Sequence, residues 1–189
     1  MLILASQSPR RGEILRQAGI SFVVRPANVD EAFLPAESPE EYAKRVAQLK
    51  AAAIDAGPSD VVLGADTIVV IGGQILGKPQ DHADAIRMLQ TLSGREHEVL
   101  TGICLRHGND TTIDLAVTRV WFLPLAHKDL EEYVATGEPM DKAGAYAIQG
   151  QASKFIQRIQ GSYANVVGLP IELVRHHLRK YSDDFYVTQ

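Results

Sequence analysis

Cysteine is almost absent from this sequence: the chain of 189 residues has one, Cys104. A single cysteine excludes an internal disulfide and a cysteine-based zinc site. Because Cys104 lies in the apolar-rich run Val99–Leu105, a thiol packed in the core is favoured over a reactive one. The six histidines also lack metal-site spacing, so neither residue type predicts a metal centre.

An excess of positive charge is also missing. The sequence has 19 Lys and Arg against 23 Asp and Glu, which gives a net charge of −4. This balance argues against general nucleic-acid binding, which depends on a basic face, but it allows a small anionic ligand in a local basic pocket. No G-x-x-x-x-G-K-[ST] pattern occurs, so a phosphotransferase with a Walker-type loop is disfavoured.

Long apolar runs are lacking. The apolar residues MLILAS are too few for a membrane span and are soon followed by Arg10 and Arg11, so we expect no signal peptide, no membrane segment and a cytoplasmic location. With 46% apolar and 22% charged residues, the composition is that of an ordinary globular protein. The length predicts a single domain over residues 1–189, either undivided or with two lobes around a central cleft.

The predicted elements alternate between strand and helix at first and then form a long hairpin. Leu2–Ala5 is predicted as a buried strand, followed by a helix that begins at Ser8-Pro9. A capping box at Ser38 starts a helix that runs to about Ala56. This order indicates an α/β fold with a mixed sheet. The other predictions are strands at 22–24, 60–71, 96–106, 111–123 and 155–159 and helices at 81–92, 128–135 and 169–180.

One carboxylate interrupts a stretch that otherwise has the composition of a buried strand. Asp66 lies within Asp60–Ile71, among Val, Leu and Ile residues that suit a sheet covered on both faces. An ionised carboxylate is seldom left in such a run without compensation. Asp66 is therefore interpreted as a metal ligand, a general base or half of a buried ion pair, with a functional role favoured. Gly64 marks either a close backbone approach or a bulge.

The segment Ala5–Arg11 (ASQSPRR) lies where a strand ends and a helix begins. Free backbone N–H groups and the helix dipole attract anions at such a point. Ser6, Ser8, Arg10 and Arg11 add donors, and arginine pairs well with phosphate. The pattern therefore favours phosphate binding over a capped helix with two solvated arginines.

Two further segments indicate a functional site only if they lie close to Asp66. Asp30-Glu31 alone is typical of a solvated acidic loop, but facing Asp66 it would provide carboxylates that suit Mg²⁺ or Mn²⁺. Gly72-Gly73 predicts a hairpin after the strand of Asp66, which can bring Lys78 back beside Asp66, where it could meet a phosphate or lower the pKa of a nearby carboxylate. An ordinary turn lysine is equally compatible with this position.

A segment rich in small residues, Met140–Gly150, allows a ligand to approach the backbone closely. It also carries polar side chains, among them Gln149, whose amide has both a donor and an acceptor and can read the edge of a base. The mixture makes a plain loop the less favoured interpretation.

Taken together, these segments resemble the Maf family of nucleoside triphosphate pyrophosphatases. ASQSPRR, GADT, GKP and DKAGAYAIQG occur in the family's order, and the match extends from Leu4 to Pro170. The resemblance implies an elongated α/β fold like that of the inosine triphosphate pyrophosphatases. It also implies hydrolysis of a nucleoside triphosphate to monophosphate and pyrophosphate with a divalent metal, Mg²⁺ or Mn²⁺. Two departures, Asp30 where relatives often have Glu and Ala147 where many have Gly, remove no functional group.

The resemblance implies roles for individual residues as well. Asp66 matches the catalytic acid–base position, and Arg10, Thr67 and Gln149 match positions linked to base choice. Arg10 together with Gln149 resembles the branch that acts on dTTP and UTP rather than the branch that prefers 7-methyl-GTP. Family members are often homodimers and have been connected with nucleotide-pool sanitation and arrested septum formation. The other site positions that match are Arg11, Lys50, Lys78 and Glu31.

These roles combine into a mechanistic hypothesis. Mg²⁺ is held by Glu31 and Asp66, directly or through water, and Asp66 deprotonates a water that attacks the α-phosphorus. Whether Asp66 binds the metal, takes the proton or does both stays open. The partner is a small-molecule triphosphate, with no stable nucleic-acid or membrane partner. The runner-up is a non-catalytic nucleotide- or nucleic-acid-binding regulator of cell division. In the pyrophosphatase hypothesis, the phosphate charges are neutralised by four cationic residues, Arg10, Arg11, Lys50 and Lys78.

Overall fold

The computed structural model describes residues 1–181 and residue 185. This part of the chain contains seven strands: β1 (Leu2–Leu4), β2 (Val23–Val24), β3 (Val61–Ile71), β4 (Gln74–Leu76), β5 (Glu96–His107), β6 (Asp110–Phe122) and β7 (Ile156–Gln160). It also contains six α-helices: α1 (Pro9–Gln17), α2 (Pro39–Ala52), α3 (His82–Leu92), α4 (His127–Ala135), α5 (Tyr163–Val167) and α6 (Ile171–Leu178). None of these helices is long and apolar enough to cross a membrane.

The strands form a mixed sheet, as the sequence predicts. Its order is β2-β1-β3-β5-β6-β7, and β4 pairs with β3 outside this path. The strand β1 is parallel to both neighbours, with Leu4 opposite Val24 on one side and Leu63 on the other. Antiparallel pairing joins β3 to β4, the predicted glycine hairpin, and β6 to β7. Helices and a mixed sheet confirm the α/β class.

Helix α2 begins at the predicted capping box. The Ser38 amide donates to Glu41 Oε2 over 2.8 Å, and the Glu41 amide donates to Ser38 Oγ over 3.2 Å. The helix ends at Ala52, so the prediction of an end near Ala56 is wrong. Arg106 explains part of this difference. Its guanidinium donates to the carbonyls of Ala51 and Ile54, so these carbonyls have hydrogen-bond partners without a further helical turn. Helix α5, with five residues, was not predicted.

The chain forms two compact units, of which the first comprises Met1–Thr67, Thr101–Ala116 and Gly168–Gln189. Two glycines let the backbone of α2 approach the strands of this unit. A Cβ on Gly64 would lie 2.1 Å from the Ala47 carbonyl oxygen, and one on Gly102 would lie 2.3 Å from the Ala43 carbonyl oxygen. Gly64 therefore marks a close backbone approach, one of the two predicted alternatives. The core here includes Ile3, Ala5, Ala47, Ala51, Ile54, Val62 and the buried Cys104.

The second unit comprises Ile68–Leu100 and Val117–Val167. Its core joins α3 and α4 to the strand residues, with Leu89, Phe122 and Tyr133 among its buried side chains. His97 is buried there as well, and its Nε2 lies 2.8 Å from the Tyr146 hydroxyl. Burial lowers the pKa of His97 to about 3, so the ring is neutral at physiological pH.

Candidate active site

Asp66 lies in the middle of β3 and is 7% exposed. Its neighbours Ala65 and Leu63 are fully buried, which confirms the predicted setting of a carboxylate inside an apolar strand. Burial raises the pKa of Asp66 above its ordinary value, and the charges of Lys50 and then Arg11 oppose that rise. The carboxylate is thus compensated by neighbouring cations but remains a stronger base than an exposed aspartate.

Lys50 is the direct partner of this carboxylate. Its Nζ lies 2.7 Å from Asp66 Oδ1 and 2.8 Å from Glu31 Oε1. Lys50 projects from the last turn of α2, and its side chain is 12% exposed. The structure therefore brings together three of the predicted site residues, with one ammonium between two carboxylates.

The loop that carries Glu31 has no regular secondary structure, yet it is held firmly to α2. The Tyr42 hydroxyl donates to the Glu31 carbonyl over 2.9 Å, and Arg45 donates to the Ala32 carbonyl over 2.9 Å. Burial raises the pKa of Tyr42 to about 12, and the charges of Asp66 and Glu31 add to the rise. Tyr42 consequently stays a hydroxyl donor at every physiological pH.

Arg11 is 8% exposed and serves as a buried hydrogen-bonding centre. Its Nε donates to the Gly168 carbonyl over 2.8 Å, and its Nη1 donates to Ser6 Oγ and to the Ala65 carbonyl, each over 2.9 Å. Its Nη2 donates to Thr67 Oγ1 over 3.1 Å. Burial lowers the pKa of Arg11, but arginine remains charged in proteins. Arg11 thus fixes the groups on both sides of Asp66, and a direct contact with substrate phosphate stays a prediction.

Ser6, the first serine of ASQSPRR, lies in the turn from β1 to α1. Its Oγ accepts from Arg11 and from the Ser8 amide, the latter over 3.2 Å. Ser8 is the N-cap residue of α1, and Arg10, in the first turn, is half-buried. Free amides at this helix start and two arginines are what a phosphate group would require.

The Thr67 hydroxyl makes three hydrogen bonds within the first unit. It donates to the Gly168 carbonyl over 3.2 Å and accepts from Arg11, so the Thr101 hydroxyl at 2.9 Å acts as a second donor. Thr101 is fully buried and was missed by the sequence reasoning. The only available signal was a polar residue inside the apolar run 99–105.

Lys78 and Gln149 belong to the second unit, and both are exposed. Their segments meet there, because the Gly144 amide donates to the Gly77 carbonyl over 3.0 Å. Gln149 lies in a turn closed by a bond from the Gly150 amide to the Ala147 carbonyl over 3.1 Å. Their roles towards a substrate stay predictions.

The donor set for a divalent cation consists of two carboxylates. Within the described residues there is no group of three or more His, Cys, Asp or Glu that could hold a metal ion. Glu31 and Asp66 nevertheless both contact one cationic group, the Lys50 ammonium. Two carboxylates suit Mg²⁺, which usually keeps several waters and takes further oxygens from substrate phosphates. These residues fit a divalent metal of that kind.

The fold and these contacts define a class of protein: a mixed α/β protein in which a buried carboxylate and a second carboxylate share one ammonium beside a buried arginine. The model of the family described as Maf-like protein matches residues 1–181. The chain belongs to this family.

Curated relatives match over nearly the whole chain. One is the dTTP/UTP pyrophosphatase of Anaeromyxobacter dehalogenans strain 2CP-C, 52% identical over 183 residues, which are 95% of this chain and 93% of that protein. Another is the dTTP/UTP pyrophosphatase of Symbiobacterium thermophilum, 54% identical over 171 residues, with 90% of this chain and 88% of that protein covered.

Solved structures share the fold at low sequence identity. The HAM1 protein from Coxiella burnetii aligns with a TM-score of 0.51 and 16% identity over 95% of this chain and 98% of that chain. The Ham1 protein of Staphylococcus aureus aligns with a TM-score of 0.52 and 13% identity over 96% and 99%. These likenesses support the fold alone.

Proposed function

We propose that this chain is a nucleoside triphosphate pyrophosphatase that hydrolyses dTTP and UTP to the monophosphate and pyrophosphate. The observation that carries the proposal is the pair of carboxylates, Asp66 and Glu31, that converge on Lys50 beside the buried Arg11. Relatives named dTTP/UTP pyrophosphatase at 52% and 54% identity support the same activity.

Asp66 is proposed as the general base. Its pKa is raised by burial, which makes it a better proton acceptor, while Lys50 and Arg11 favour its ionised form. Asp66 takes a proton from water, the water oxygen bonds to the α-phosphorus, and the bond from that phosphorus to the bridging oxygen breaks. Pyrophosphate leaves with the electron pair of the broken bond.

Glu31 and Asp66 are the residues proposed to hold a divalent cation, Mg²⁺ or Mn²⁺. When bound, such a cation supplies charge neutralisation and polarises water and phosphoryl oxygens. Lys50, Lys78 and Arg10 neutralise the remaining phosphate charge, and Arg11 keeps Ser6 and Thr67 in place.

Arg10, Thr67 and Gln149 are proposed to determine base choice. The Gln149 amide has one acceptor and two donors and is exposed, so it can pair with the donor and acceptor on the edge of thymine or uracil. A homodimer, a cytoplasmic location, modified pyrimidine nucleotides as further substrates and a link to septum formation are further parts of this proposal.

A pyrophosphate-release assay on the purified chain tests the proposal. The panel is dTTP, UTP, CTP and the purine triphosphates, each with Mg²⁺, with Mn²⁺ and with EDTA. We expect release from dTTP and UTP that requires metal. Binding of these nucleotides without any release would overturn the proposal and favour the non-catalytic regulator.

Substitution of Lys50 by Met is expected to shift the pH dependence of kcat/KM. Lys50 is the largest influence that lowers the pKa of Asp66, so its loss raises that pKa further. The base must be ionised, so the acidic limb of the profile moves to higher pH. The profile is measured by initial rates with dTTP.

Two control variants accompany Lys50→Met. Lys50→Arg retains the charge, and Lys44→Met removes an exposed lysine of the same helix, so both controls should keep the acidic limb near its original position. An unmoved limb in Lys50→Met would contradict the assignment.

Removal of metal is expected to abolish turnover but to leave the fold intact. The charges of Glu31 and Asp66 are already balanced by Lys50 and Arg11, so the metal-free site has no uncompensated carboxylate. EDTA should therefore shift Tm by less than about 2 °C in calorimetry. The metal-free Lys50→Met variant lacks that ammonium, and its Tm should rise on addition of Mg²⁺. A large fall in Tm of the unchanged chain with EDTA would show that Lys50 does not compensate the site.

A further inference from the structure

The turn that carries Gln149 is tied down at both ends by one pair of side chains. Tyr133, in α4, accepts from the Ala147 amide over 3.3 Å and donates to Glu138 Oε1 over 2.9 Å. The other oxygen, Glu138 Oε2, accepts from the Gln151 amide over 3.2 Å. Ala147 and Gln151, which flank the three residues 148–150, are thus both anchored to the Tyr133–Glu138 pair.

This anchor is itself fixed in place. The Tyr133 ring is 1% exposed and packs edge-on against Phe155, with ring centroids 5.3 Å apart. Burial and then Glu138 raise the pKa of the Tyr133 hydroxyl, so it stays protonated and keeps donating to the carboxylate. The Glu138 amide is held too, because it donates to Thr136 Oγ1 over 3.2 Å.

Gly150 shows how closely the turn and the carboxylate fit. A Cβ added at this position would lie 2.1 Å from Glu138 Oε1. Glu138 cannot keep its present position beside any residue larger than glycine, so the turn is shaped around this side chain. Gln149 itself is exposed and has no role in these bonds.

We infer that Tyr133 and Glu138 are positioning residues that aim the Gln149 amide and thereby set which nucleobase the enzyme accepts. This inference rests on the proposed function for its substrate class. The physical reason is that hydrogen-bond selection among thymine, uracil and cytosine needs donor and acceptor atoms held within a fraction of an ångström. A turn closed by a single backbone bond would leave the backbone that carries Gln149 freer to move, whereas the two bonds to Tyr133 and Glu138 restrict it on both sides.

The test compares substitutions at the anchor with a matched control. Tyr133→Phe removes the hydroxyl and keeps the packed ring, and Gly150→Ala displaces the Glu138 carboxylate without removing it. The control is Ser93→Ala, which removes an equivalent bond in the same unit, from the Leu125 amide to Ser93 Oγ over 2.7 Å, away from the turn.

We expect both anchor variants to lower the ratio of kcat/KM for dTTP to that for dCTP by about three- to tenfold, the range for one misplaced hydrogen bond. The loss should appear mainly as a higher KM for dTTP, with kcat within roughly twofold. Amide hydrogen exchange of Ala147 and Gln151 should quicken in Tyr133→Phe. Ser93→Ala should lower stability and leave the ratio unchanged.

A double-mutant cycle separates positioning from a general structural effect. If Tyr133 acts through the Gln149 amide, Tyr133→Phe should change the ratio no further once Gln149→Ala is present. An equal loss of kcat/KM for every nucleotide, or the same further loss in the Gln149→Ala background, would overturn the inference.

The proposed function can fail separately. If the unchanged chain releases no pyrophosphate from any nucleotide, calorimetric binding of dTTP and dCTP to the unchanged chain and to Tyr133→Phe replaces the rate ratio. A change in relative binding supports the positioning role even then, and equal changes or no nucleotide binding overturn it.

Discussion

Asp66→Asn is expected to abolish nearly all turnover in a protein that still folds and binds nucleotide. Asparagine has almost the same shape but cannot accept a proton, and a positioned general base contributes about 10²- to 10⁴-fold. We expect kcat in the pyrophosphate-release assay to fall by at least about 10³-fold, with calorimetric binding of dTTP retained. Activity near that of the unchanged chain would remove Asp66 from the chemistry.

The same substitution has an informative effect on stability. Because the pKa of Asp66 is raised in the folded state, folding favours its protonated form, and its contribution to stability is lost as pH rises through that pKa. At pH 8 the Asp66→Asn variant, which is neutral at this position, should therefore be as stable as the unchanged chain or more stable. This advantage should shrink as pH falls through the raised pKa of Asp66, where the carboxylate of the unchanged chain protonates.

Asp60→Asn is the matched control, at the residue that directly precedes the same strand. The pKa of Asp60 is lowered, first by the bond from the Gly57 amide, so its contribution to stability is present at neutral pH and is lost as pH falls through the lowered pKa. Asp60→Asn should lower stability at pH 8 and leave kcat unchanged. Opposite signs for the two variants in thermal unfolding would support both assignments, and the same sign would contradict the linkage.

Gly64→Ala is expected to destabilise the chain by about 3 kcal/mol or more, at the upper end of the range for overpacking. The added Cβ would lie 2.1 Å from the Ala47 carbonyl oxygen and 2.8 Å from the Ala51 nitrogen, both atoms of helix backbone that cannot rotate away. The helix must move as a whole, and Lys50 moves with it. Loss of stability should therefore be accompanied by a fall in kcat, measured on the folded fraction.

Gly77→Ala is the control for this prediction. No atom lies within 4 Å of a Cβ at Gly77, and its backbone is not in the left-handed region. Its free energy of unfolding in urea should stay within about 0.5 kcal/mol of the unchanged chain. A Gly64→Ala variant that loses less than about 1 kcal/mol would show that the contact between α2 and β3 relaxes easily.

Local sequence patterns were sufficient for most of the fold. The capping box at Ser38 and the hairpin at Gly72-Gly73 depend on residues adjacent in sequence, and both are present in the structure. The end of α2 was misplaced in part because Arg106, distant in sequence, donates to the carbonyl of Ala51 near the helix end and to that of Ile54 beyond it. No local pattern contains that contact.

In the candidate site too, local patterns were detectable in the sequence and contacts between distant segments were not. Asp66 was detectable because a carboxylate contrasts with its own apolar neighbours in the strand. The pairing of Asp66 with Lys50 was not detectable from the sequence, because the contact depends on how α2 packs onto β3. Lys50 was named only by family resemblance. Arg11 was expected to bind phosphate, and its bonds to Gly168 and Ala65 depend on segments far apart in the chain.

The close packing of α2 also limits how this protein can be redesigned. Ala43, Ala47 and Ala51 are fully buried, and their backbone atoms are among those that a Cβ on Gly64 or Gly102 would meet. These are backbone atoms that every residue carries, so no substitution within α2 makes room for a side chain on either glycine. Libraries that vary Gly64 or Gly102 alone should therefore return glycine, and a larger residue there requires the helix itself to shift.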